Sequence, residues 1–139
     1  MGKSGRIERW VHTYLAQPHP PGNAGLLEGL KKMPRYWIGP IKTNLCELVQ
    51  VCGPDSSFEF HENAVTWDIG LQQNIIRLEQ GDQPPHMIVE YTGHGLRIAD
   101  GNHRYAALKA CGYSAYWAII WCNSRMDYED CRDKYLPGD

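Results

Sequence analysis

The residues of this chain best suited to chemistry stand together in Ile98-Ala99-Asp100-Gly101-Asn102-His103-Arg104-Tyr105-Ala106-Ala107-Leu108. A strand-like stretch runs into Asp100 and Gly101 and then directly into a helical pattern that ends at Gly112, a common helix C-terminus. At such a junction the first-turn amides lack intrahelical partners and carry the positive end of the helix dipole, so they form an anion site. His103 and Arg104 sit in that first turn. Cationic side chains there oppose the dipole, and a bound phosphate would reverse the penalty while accepting charged hydrogen bonds. The plainer account is that Asp100 caps the helix, Gly101 permits the turn, and His103 and Arg104 reach solvent.

The elements that must position this segment follow from periodicity and punctuation. Ala64 to Glu79 places Trp67, Leu71, Ile75 and Leu78 on one helix face and stops at Gln80-Gly81-Asp82, with Pro84-Pro85 setting the turn to the next strand. Met87-Ile88-Val89 predicts a buried strand, Gly93-His94-Gly95 a tight turn, and Leu96 to Ala99 a second strand. Ala115 to Trp121 predicts a third. Ser124-Arg125-Met126-Asp127 resembles a capping box opening a last helix to Tyr135, with Pro137-Gly138 ending the fold. Thr43 to Val51 is an apolar run that fits helix or strand, and Asp55-Ser56-Ser57 reads as a loop. Ahead of these lie two short helices, Ile7 to Gln17 and Ala24 to Lys32. The first stops near Pro18 because His19-Pro20-Pro21-Gly22 cannot continue it. Arg35 to Pro40 reads as extended or turn. The order describes an α+β or small α/β domain.

Composition narrows the field. The 139 residues suit one domain, and 14 Lys+Arg against 16 Asp+Glu, net charge -2, give no global case for nucleic acid or an anionic membrane. No apolar stretch approaches the roughly 20 residues of a membrane span, and Met1 to Trp10 is too polar for a secretory signal. The expectation is a soluble, cytoplasmic protein with no membrane partner. Cys46, Cys52, Cys111, Cys122 and Cys131 form no C-x-x-C pair and read as small hydrophobes, and the histidines show no metal-binding spacing.

D-G-N-H-R-Y-A-A-L, followed by Gly112 and the strand Trp117 to Trp121, resembles the signature of the ParB/sulfiredoxin superfamily. Sulfiredoxins carry G-C-H-R-Y-A-A, ParB partition proteins G-E-R-R-x-x-A-A, and free-serine kinases D-G-H-H-R-x-A. The resemblance covers roughly Ile41 to Cys122. It implies a nucleotide-binding domain over residues 41–139, a small mixed sheet flanked by helices, with residues 1–40 as an α-rich extension. Departures separate the branches. Asn102 stands where sulfiredoxins have their catalytic cysteine, and a carboxamide cannot serve as that nucleophile. Too few residues follow Cys122 for the helix-turn-helix of a full partition protein.

The free-serine kinase pattern fits better, because it shares the aspartate at position 100 and a His-Glu pair ahead of a helix, here His61-Glu62. By this resemblance Glu62 activates an acceptor hydroxyl. Asp100 would lie beside the transferring phosphoryl group or its Mg²⁺, and Gly101, Asn102, His103 and Arg104 would hold the phosphates of ATP or another NTP, with His103 also catalytic. Lys42 and Thr43 would flank the nucleotide. His61 reads as a packing or capping residue. A carboxylate at position 62 is also favoured simply by the following helix dipole. The expected activity is phosphoryl transfer to a small-molecule hydroxyl, or NTP hydrolysis. The alternative is a nucleotide-dependent switch that binds DNA or a protein partner. Trp10, Tyr14, Tyr36 and Trp37 either wall an acceptor pocket or form the apolar underside of the leading helices.

Overall fold

The central strands are apolar on both faces, and this requires helices on both sides of the sheet. The computed structural model describes residues 2–18 and 22–136. The stop at His19-Pro20-Pro21 and the ending at Pro137-Gly138 lie outside the described residues. Helices α1 (Gly2–Leu15) and α2 (Ala24–Lys31) lead into the long strand β1 (Tyr36–Asn44). A single 3₁₀ turn follows, then the short strands β2 (Leu48–Val49), β3 (Cys52–Gly53) and β4 (Phe60–His61). The remainder alternates: α3 (Ala64–Glu79), β5 (Met87–Tyr91), β6 (Leu96–Asp100), α4 (Asn102–Ala110), β7 (Ala115–Cys122) and α5 (Arg125–Tyr135).

The main sheet has the order β1-β7-β5-β6-β2 and is mixed: β5 is parallel to β7 and antiparallel to β6, and β1 closes one edge antiparallel to β7. Residues alternate between two cores, as the period of a strand demands. Val89, Tyr91, Ile98, Ala118, Ile120 and Cys122 face Tyr105 and Leu108 of α4 and Cys131 of α5. Ile88, Ile119 and Trp121 face Ile7, Val11, Tyr14 and Leu15 of α1. The protein is an α+β fold with a mixed sheet between helical layers.

Local signals account for most elements. Ser124 caps α5 by accepting from the Asp127 amide, and Asn63 caps α3 by accepting from the Val65 and Thr66 amides. The cap of α3 is therefore Asn63, and His61 is an exposed strand residue. Two readings change. Arg35 to Pro40 lies mostly within β1, so position 40 falls inside a sheet strand, and the leading helices form one of the covering layers. Helix α1 begins at Gly2 rather than Ile7, because the polar residues between them carry no apolar signal. Among the described residues no helix is long and apolar enough to cross a membrane.

Candidate functional site

β6 ends at Asp100, Gly101 turns the chain with φ 113°, and α4 starts at Asn102. That left-handed angle suits glycine and strains other residues, which explains the residue type. Gly101 supplies no side-chain cap, unlike Asn23, Asn63 and Ser124 at the starts of α2, α3 and α5. The first-turn amides of α4 are thus left to water or a ligand.

Glu62 and His103 meet here. His103 Nε2 lies 3.2 Å from Glu62 Oε2, and the pair is partly exposed, 33% and 22% for the two side chains. Nε2 itself is buried and makes no hydrogen bond among the described residues, so the contact is one of charge, strongest when His103 is protonated. The imidazole stacks on Trp67 with ring centroids 4.3 Å apart. It also presses on Gly70, where a Cβ would come within 2.8 Å of the His103 ring. Glycine inside a helix costs about 1 kcal/mol against alanine, and the approach of His103 is the reason it stands there.

The loop that carries Glu62 is tied down at several points. Glu62 N donates to Gly53 O at 2.8 Å, and Phe60 N donates to Val51 O at 2.8 Å. Asn102 clasps the same loop: its Oδ1 accepts from the Val51 amide at 2.9 Å and the Cys52 amide at 3.3 Å, while Nδ2 donates to Ile98 O at 3.3 Å. Asn102 therefore joins the loop to α4, and its amide is committed to protein backbone. The Cys52 thiol donates to Glu62 Oε2 at 3.6 Å, and burial and then the Glu62 carboxylate push its pKa up. A thiol in this setting stays protonated and serves to hold the carboxylate.

Asp100 and Arg104 form a second pair of different character. Arg104 Nη2 lies 2.7 Å from Asp100 Oδ2, and both side chains are only 12% exposed. Arg104 also donates from Nη2 to Tyr14 Oη at 3.1 Å, and from Nη1 to Pro85 O at 3.2 Å and His86 O at 2.8 Å. Asp100 Oδ1 accepts from Asn23 Nδ2 at 3.5 Å. These contacts join α4 to α1, to the cap of α2 and to the entry of β5. Arg104 keeps only Nε for an outside partner. Asp100 is held by Arg104 and Asn23, and among the described residues no group of three His, Cys, Asp or Glu side chains is placed to hold a metal ion.

Two clefts flank the turn and share Gly101, Asn102 and His103 as their common wall. One, of about 490 Å³, is lined by Tyr14, Asn74, Arg77, Pro84, Pro85 and Arg104 among others. The other, of about 450 Å³, is lined by Asn23, Cys52, Glu59, Glu90, Arg97 and Trp121 among others. The first offers the Arg77 side chain and open amides, with Asp82 also on its wall. The second carries carboxylates on its wall, with Arg97 ion-paired to Glu59 and Glu90.

The structure thus brings Glu62, Asp100, Gly101, Asn102, His103 and Arg104 to one turn. It does not bring Lys42 and Thr43 there. Both lie on edge strand β1 opposite Trp117 and Tyr116; Lys42 is exposed, and the buried Thr43 hydroxyl donates to Ile41 O at 3.4 Å. Three site residues had escaped the sequence reading. Arg77 has no ion-pair or hydrogen-bond partner for its side chain among the described residues, and with Trp67, Gly70 and Asn74 it follows a helical spacing toward α4 that only the glycine hints at. Cys52 is more than a small hydrophobe, and Gly70 is the seat of His103. Compared with protein-family models and with curated proteins, the chain matches none.

Proposed function

We propose that this chain binds a nucleoside triphosphate of the ATP type and transfers its terminal phosphoryl group to the hydroxyl of a small cytoplasmic metabolite, with water as the simplest acceptor. The observation that carries this reading is the Glu62–His103 contact at the uncapped start of α4, where the two clefts meet. The phosphates would lie in the cleft with Arg77, against the open amides of Asn102, His103 and Arg104. The acceptor would enter from the carboxylate-lined cleft. Glu62 takes the hydroxyl proton as the acceptor oxygen bonds to the terminal phosphorus and the bond to the bridging oxygen breaks, releasing the diphosphate. His103, between Glu62 and the turn, offsets the charge that gathers there. The D-G-N-H-R-Y-A-A-L resemblance to the ParB/sulfiredoxin superfamily, closest to its free-serine kinases, points the same way.

The switch reading, in which nucleotide binding controls a protein or DNA partner, draws on one feature: Val65, Ile69 and Ile76 on α3 are exposed. Incubation with ATP, Mg²⁺ and a panel of hydroxyl-bearing amino acids and metabolites, read by mass spectrometry, tests the proposal. A phosphorylated product or steady ADP release supports phosphoryl transfer. Binding with neither product would leave the switch. No binding at all would sink both.

A further inference from the structure

The leading helix α1 brings aromatic side chains to the end of the sheet where the phosphate turn lies. Trp10 and Tyr14 stack with centroids 5.1 Å apart, and Tyr14 joins the phosphate cleft through its bond to Arg104. On the other side of Trp10 lies His86, at 6.0 Å, and beyond it Trp117, at 6.5 Å from His86. Trp10 and Trp117 are each 42% exposed, far more than the buried Trp37, Trp67 and Trp121. Beside Trp10 and His86 opens an apolar groove of about 270 Å³, lined also by Arg6, Ile7, Gly39, Pro40 and Ile119. Exposed indoles beside an apolar groove are a surface in want of a planar partner.

We propose that this groove takes the base of the bound nucleotide, stacked on Trp10, while its phosphates lie at the start of α4. The inference rests on the phosphate reading of the turn. Its occupant follows from continuity: Tyr14 and Pro85 line the phosphate cleft, while Trp10, stacked on Tyr14, and His86, next to Pro85 in the chain, line the groove. The Arg104 guanidinium lies 5.9 Å from the Tyr14 ring, so one further ring contact separates the cation at the turn from Trp10. The edge of the groove is also suited to a base. Burial and then the Arg104 charge lower the pKa of His86, which keeps its ring neutral, with one nitrogen to donate and one to accept. The leading residues would thus supply the nucleoside half of the site and α4 the phosphate half.

The test is calorimetric titration of the wild type, Trp10→Ala and Trp10→Phe with ATP and, separately, with inorganic tripolyphosphate. Trp10 is exposed enough for both variants to fold, which circular dichroism checks. Trp10→Ala should weaken ATP binding roughly 5- to 150-fold, the range for losing a base-stacking aromatic, and leave tripolyphosphate binding unchanged. Trp10→Phe should recover most of the loss. ATP affinity unaffected in Trp10→Ala, or an equal loss for tripolyphosphate, would overturn the base site. Wild type that binds tripolyphosphate as tightly as ATP would also overturn it, leaving the phosphate reading intact. Wild type that binds neither would overturn both.

Discussion

Two acid–base pairs meet at one turn and are held in opposite ways. Asp100 and Arg104 are nearly buried, lie 2.7 Å apart, and share further bonds with α1, the α2 cap and the entry of β5. Glu62 and His103 are more open and lie 3.2 Å apart, and His103 lines both clefts. By residue type the four look equally chemical. Their surroundings divide the work: a charge pair surrounded by protein donors and acceptors holds elements together, whereas one that faces a cleft and keeps unspent hydrogen-bonding capacity can react. The Glu62–His103 pair is in turn held indirectly, by Asn102 on the loop of Glu62 and by Gly70 and Trp67 around His103.

The largest expected effect is on turnover. Glu62→Gln keeps the shape of the loop and should lower phosphoryl transfer by the roughly 10²–10⁴-fold typical of a lost general base, with ATP affinity and melting temperature near wild type. Steady-state kinetics beside a thermal melt would check it, and a large drop in melting temperature would move Glu62 to the structural side of the comparison. Arg104→Ala should do the reverse. It leaves Asp100 and two carbonyls without their donor, at a cost of about 3 kcal/mol in denaturant unfolding. Intact stability with lost nucleotide affinity would place Arg104 with the reacting groups instead.

Gly70→Ala tests how His103 is seated. Alanine in place of glycine inside a helix ordinarily gains about 1 kcal/mol. Here the new methyl would overlap the imidazole, so the variant should lose about 1–3 kcal/mol, the usual cost of overpacking, and turnover should fall with it. A stabilised Gly70→Ala protein with full activity would show that the contact does not position His103.

The smallest effect is a pH dependence at the joint between the two regions. Burial, and then Arg104, holds His86 below its ordinary value of 6.5. The unfolded chain therefore binds that proton more readily, so stability rises with pH across the interval between the two values. The contribution is complete above the unfolded value and is lost as pH falls through about 6.5 toward the lower folded value. Urea midpoints across that interval should fall less steeply for His86→Gln than for wild type, and equal slopes would count against the effect.

Much of the fold was legible locally. Helix α3 was marked by its apolar spacing, α5 by Ser124, α4 by Gly101 and Gly112, and the central strands by their apolar runs. β1 was less so, because Gly39-Pro40 interrupts its pattern and the register with β7 shifts between Ile38 and Ile41. At the site, the turn from Asp100 to Arg104 stood out by composition. The clasp by Asn102 did not, since nothing near it in sequence indicates that its Oδ1 serves an amide 51 residues away. Nor did the role of Cys52, whose neighbours in sequence are unremarkable.

The sequence by itself determined where α2 to α5 and the central strands begin and that a cationic, glycine-led turn opens α4, because caps, turn angles and apolar periods are written within a few consecutive residues. Only the tertiary structure decided which partner each charged side chain takes. Of the four charged side chains at the turn, Glu62 meets His103 and Asp100 meets Arg104. The physical reason is that an ion pair is selected by burial and by the competing donors and acceptors around it, and these arrive from α1, α3 and the loop before α3 only when the sheet has formed.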